Sequence, residues 1–139
     1  MALSANELRI GNYIKGGALH TGIGRDSNMI YYTVNQITDT CAFFKESQMG
    51  EYFKDIKPIP LTKEWFLKFG AEKDKYGDLC IIDPTGINTA FYLVEGFIQW
   101  TKDCVSPIAN FEHVKYVHQF QNLYFIKTDK ELKMINTEE

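Results

Sequence analysis

Four glycines fall within nine residues, Gly16, Gly17, Gly22 and Gly24, with His20 between them and Arg25 immediately after. Serial glycines let backbone N–H groups approach an anion, and the flanking histidine and arginine would add charge, so the chemistry open to this stretch is phosphate binding. The interval from Gly17 to Gly22 imitates a P-loop, but Ile23-Gly24 stands where lysine and serine or threonine are required, and no helical pattern follows. A long hairpin loop is the plainer reading. His20, Gly22, Gly24 and Arg25 are therefore kept as the candidate ligand-binding residues of that loop.

Elsewhere the reactive residue types do not assemble. His113 and His118 are five positions apart in a helical stretch, which rotates them away from each other, so they cannot share a metal as an i,i+4 pair could. No serine or cysteine has a nucleophile setting, and nothing pairs Glu64, Glu95, Glu112 or Asp83 for acid–base work. No catalytic residue, metal or cofactor is assigned, and the residues favour a non-catalytic protein over an enzyme. The amides Gln119, Gln121 and Asn122 interleave with Tyr116, Tyr124 and Phe125. Amides beside aromatics suit recognition of bases, peptides or proteins, although they serve equally to tie a helix flank to neighbouring backbone. Gln121, together with Tyr31 and Trp100, whose rings could stack on a base, completes the ligand-binding set.

The elements that must position these residues are set by composition and pattern. With 139 residues, 45% hydrophobic and 24% charged, the chain can bury a core as one unit or as two small lobes. Aromatic residues make up 14%, which suits packed β structure. A net charge of −3 and a pI near 5.6 lack the basic footprint of a nucleic-acid or anionic-membrane protein. Cys41, Cys80 and Cys104 are widely spaced and fit reduced thiols better than a zinc site or disulfide framework. The first residues lack a signal-peptide pattern and no apolar run reaches membrane-spanning length, so the expected location is the cytoplasm.

Along the chain, residues 6–14 predict a capped turn and a strand; 29–37, 41–45 and 51–56 predict further strands, with a turn at 47–50. Short antiparallel strands with an early glycine-rich loop suggest a small, partly open SH3-like β-barrel over residues 1–57. Pro58 and Pro60 mark the junction to an α+β lobe, 58–139, the two forming one compact unit. Thr62 as N-cap, Leu61 and Phe66 as a staple and Gly70 at C′ define a helix over Lys63–Phe69. A three-stranded meander follows, Leu79–Ile82, 87–94 and Phe97–Thr101, turning at Asp83–Gly86 and Glu95-Gly96. Asn110 is placed to cap a long helix from about Phe111 to Ile126, whose stripe of Val117, Phe120, Leu123 and Tyr124 must be buried, and Leu132–Ile135 reads as a last edge strand.

Three segments, Glu7–Ile14, Pro58–Gly70 and Val117–Phe125, together resemble a family of small, mostly uncharacterised proteins carried by phages, prophages and mobile elements of Bacteroidota. The chain departs from that pattern after the last helix, where Lys127–Leu132 replaces a glycine-containing turn. The resemblance implies a phage accessory protein acting in the infected or lysogenic bacterial cell. A binding module that sequesters a host protein or a small nucleotide-like defence signal, as a homo-oligomer and without a membrane partner, is the expected function. The alternatives are a nucleic-acid-binding or replication-associated module, which the net charge disfavours, and a nucleotide-degrading enzyme.

Overall fold

A computed structural model describes residues 7–15, 31–46, 50–86, 88–103 and 106–135. The chain is α+β and divides into two compact units, residues 1–59 and 60–139.

The N-terminal unit is an antiparallel sheet of β1 (Tyr13–Ile14), β2 (Tyr32–Ile37), β3 (Cys41–Phe44) and β4 (Gly50–Tyr52), paired in that order. Its strands are rich in β-branched and aromatic residues, and one face buries Ile14, Tyr32, Val34, Ala42 and Phe44 with Leu8, Phe53 and Ile56. A register shift between Val34 and Gln36 bends β2, and Glu46 fastens the neighbouring residue by accepting from Thr33 N (2.7 Å) and Thr33 Oγ1 (2.6 Å). The expected strand 51–56 is shorter than its apolar pattern suggests. It stops at Tyr52, and Phe53–Asp55 form a 3₁₀ turn that drives Phe53 and Ile56 into the core.

In the C-terminal unit Thr62 Oγ1 accepts from Trp65 N at 3.3 Å and starts α1 (Lys63–Lys68). Gly70, at φ +93°, ends it, with Gly70 N–H donating to Leu67 O and Ala71 N–H to Phe66 O. A five-stranded antiparallel meander follows: β5 (Glu72–Lys73), β6 (Leu79–Ile82), β7 (Thr89–Val94), β8 (Phe97–Lys102) and β9 (Ser106–Phe111). Glu95 and Gly96 both have positive φ, 51° and 90°, the two-residue hairpin turn whose twist matches the strands it joins.

Three sequence expectations change here. The meander has five strands rather than three, because the short charged segment after Gly70 pairs as β5 and Ser106–Phe111 pairs with β8. Consequently Asn110 lies in a strand, and the last helix, α2 (Val117–Thr128), begins six residues later than its expected start at Phe111. Its first turn is closed instead by Gln119, whose Oε1 accepts from Lys115 N (2.8 Å) and Tyr116 N (3.1 Å). Residues 132–135 are not a strand; Ile135 N–H donates to Lys68 O, laying this segment against the end of α1. Of the expected turn at 47–50, Gly50 opens β4 and residues 47–49 lie outside the described residues, as do 1–6, 16–30, 87, 104–105 and the polar tail from 136.

Phe120 is the centre of the C-terminal core. Fully buried, it stacks on Phe66 (5.3 Å between centroids) and meets Phe69, Phe91 and Tyr124 edge-on. These contacts join α1, β7 and α2, so the sheet face bearing Phe91 is filled.

Candidate functional site

Strand alternation assigns the two faces of the five-stranded sheet. Phe91 pairs across to Trp100, and Tyr92 to Gln99, so Phe91 and Trp100 share the α2 face while Tyr92, Gln99 and Thr101 share the other. On that second face Cys80, Ala90 and Tyr92 form a small apolar floor with Val94 packed against it. The β5–β6 hairpin lies beside it in the same sheet, and its turn reaches Tyr92. Asp74, at the hairpin's turn, accepts from Tyr76 N (2.8 Å) and Asp78 N (2.9 Å) with Oδ1, and from Tyr92 Oη (2.6 Å) with Oδ2. Hydrogen bonds to the ionised form, that of Tyr92 foremost, hold its carboxyl below the usual carboxylate range.

Two hollows flank this clasp. The larger, about 650 Å³, runs from Lys63 and Leu67 of α1 past Leu79 and Val94 to Tyr92, Gln99 and Thr101. The smaller, about 560 Å³, has Cys80, Ile82 and Ala90 as its apolar lining and Glu72, Asp74 and Lys75 among its charges. Tyr92 and Lys73 line both. Volumes of this size accept small organic ligands.

Polar groups in the larger cleft are held in place. Gln99 Nε2 donates to Asn110 Oδ1 at 3.0 Å, and Thr101 Oγ1 donates to Gln99 Oε1 at 3.2 Å. Lys63 and Lys73 are exposed at its margin, where the single carboxylate in the lining belongs to Asp78. The cleft therefore offers ammonium groups for an anion and an oriented amide for a neutral hydrogen-bonding edge.

The residues singled out from sequence are distributed differently. His20, Gly22, Gly24 and Arg25 lie outside the described residues. Tyr31 belongs to the N-terminal unit, half-buried and edge-on to Tyr13 at 5.4 Å. Trp100 sits on the α2 face, its Nε1 donating to Asp83 Oδ2 at 3.2 Å and its ring covered by Lys127 Nζ at 3.3 Å. Asp83, 1% exposed, also accepts from Thr85 N and Oγ1 and so builds the turn into β7. Gln121 is buried and donates to Leu132 O at 3.1 Å. Neither Trp100 nor Gln121 lines the two hollows. Gln99, Lys63 and Lys73 were missed in the sequence; the one available signal was the polar pair Gln99 and Thr101 alternating with Ile98 and Trp100.

His118 is buried on the flank of α2 with its ring stacked on Tyr116, and burial pushes its pKa down to about 4. Burial, then the Asp83 carboxylate, raises the Tyr124 phenol above its ordinary value. Among the described residues no three His, Cys, Asp or Glu side chains gather as a metal site, and no helix is long and apolar enough to cross a membrane.

No family model, curated protein or solved structure matches the chain.

Proposed function

We propose that this chain is a non-catalytic binding protein of a Bacteroidota phage or mobile element that sequesters a small nucleotide-like defence signal in the cytoplasm of its bacterial host. The observation that carries the reading is the 650 Å³ cleft, whose lining includes Lys63, Lys73 and the tethered Gln99 amide. An anion with a planar, hydrogen-bonding body matches that combination of groups. The C-terminal unit would carry the ligand, the N-terminal sheet would act as a small SH3-like barrel, and a homo-oligomer would multiply the sites. A host protein as the sequestered factor is the other form of the same reading.

Native mass spectrometry of the protein purified from phage-infected, defence-competent cells, followed by denaturation, tests this directly. A stoichiometric small molecule released intact is the expected result and identifies the ligand. A protein that carries nothing, or one that releases only a processed product, overturns sequestration. A binding reaction that weakens steeply with salt and extends to oligonucleotides would favour a nucleic-acid module instead.

A further inference from the structure

The smaller hollow plays no part in the sequestration reading, and strand register decides which of its charged residues share a side with its floor. Alternation sets Cys80 and Ile82 of β6 on one side of the sheet with Tyr92 and Ala90 of β7, their cross-strand partners, and these four are the apolar floor. Cys80, Ala90 and Tyr92 are buried, while Ile82 is 62% exposed, so the hollow holds an apolar side chain open to solvent. Glu72 pairs with Cys80 and shares that side, and Asp74 reaches it by accepting from Tyr92 Oη. Asp103, just past the end of β8, is the third carboxylate of the lining.

The two lysines of the lining do not balance these charges. Lys73 pairs with Leu79, one position out of step with Cys80, and so belongs to the opposite side of the sheet. Lys75 has its ammonium 5.4 Å from the ring centroid of Tyr76, a residue outside the lining. An anion entering the hollow therefore meets like charge, and a hydrocarbon gains from the floor alone. A cation with an apolar body gains from both, the body by leaving water and the charge through the carboxylates. We propose that the smaller hollow binds a small organic cation, a primary ammonium on an apolar body, with the body on Ile82, Ala90 and Tyr92 and the charge met by Glu72, Asp74 and Asp103.

The test is titration of the full chain with phenethylamine, phenethyl alcohol and hydrocinnamate, which carry a positive, a neutral and a negative end on one kind of body. Calorimetry gives the affinities and methyl NMR the location. The amine is expected to bind about tenfold more tightly than the alcohol, and hydrocinnamate not to bind. Added salt should weaken the amine and leave the alcohol unchanged. Glu72→Gln and Asp103→Asn, isosteric changes at exposed positions, should each weaken the amine about two- to fivefold and spare the alcohol. The wild type alone supplies a second readout: the methyl resonances of Ile82 and Ala90 must shift with the amine, and those of Leu79 and Leu93, which line only the larger hollow, must not. An alcohol that binds as tightly as the amine, an amine affinity indifferent to both substitutions, or shifts confined to Leu79 and Leu93 each overturn the proposal. So does the absence of amine binding. Sequestration stands or falls separately, on whether protein from infected cells releases a ligand of any kind.

Discussion

On the side of the five-stranded sheet that meets α2, Phe91 touches the rings of Phe120 and Tyr124, whereas on the opposite side the next residue, Tyr92, lines two hollows and gives its hydroxyl to Asp74. Both faces come from one strand and one alternation. The difference lies in what meets each: a twelve-residue helix with a ring at its centre packs on one side, whereas on the other the turn of the β5–β6 hairpin takes the Tyr92 hydroxyl. A helix supplies enough apolar area to exclude water, and a single turn does not. Close aromatic packing is thereby assigned to the Phe91 face, and the proposed ligand contact of Gln99 to the other.

That separation can be broken most forcefully at Phe120. Phe120→Ala deletes a ring with four aromatic neighbours and should cost about 3–5 kcal/mol in urea unfolding followed by far-UV circular dichroism. A loss below 1 kcal/mol would mean that the helix face is not where the unit's stability resides.

The second effect is a pH dependence. His118 titrates at its ordinary 6.5 when unfolded and at about 4 when buried, so the unfolded chain takes up the proton first. Stability is full above 6.5 and falls as pH drops towards 4, by about 3 kcal/mol in total. Asp74 works in a different window: its carboxyl is held low in the fold, so its contribution is intact above its ordinary value of 3.8 and disappears below it. Urea midpoints between pH 7 and pH 4 for the wild type and His118→Gln separate the two, since the variant should lose most of the slope.

Smaller effects sharpen the contrast. Lys127→Met removes the ammonium over Trp100 and should cost about 0.5–1 kcal/mol, with a change in the Trp100 fluorescence, Trp65 being buried elsewhere in the core. Lys63→Ala and Lys73→Ala, at exposed positions lining the larger hollow, should each move stability by no more than about 0.5 kcal/mol while lowering affinity for the proposed ligand. Should they instead destabilise as Lys127→Met does, the lining of that hollow would be structural after all.

Much of the closed face was legible from the chain. Thr62, Gly70, the Asp83–Gly86 turn and the Glu95-Gly96 hairpin are local signals and need no distant partner to be read. The stripe through Val117, Phe120 and Tyr124 announced a buried helix face in the same way. The strand Ser106–Phe111 did not announce itself, because Pro107 interrupts its pattern and its hydrogen bonds go to β8. Once that strand was overlooked, Asn110 passed for a helix cap, a role that falls to Gln119 through its carbonyl oxygen. The open face was still harder to see. Gln99 lines the larger hollow with its amide tied to Asn110 on the adjoining strand, beside a Tyr92 held by Asp74, long-range arrangements that no spacing encodes.

The Asp74–Tyr92 hydrogen bond gives the two hollows a common fate. Tyr92 and Lys73 belong to the walls of both, so they are compartments with a shared wall and not independent vessels. A molecule that displaces the Tyr92 ring to fit one side redraws the other, and the free energy of that displacement is shared between the two occupancies. The clasp of 2.6 Å helps to keep that wall in its present position.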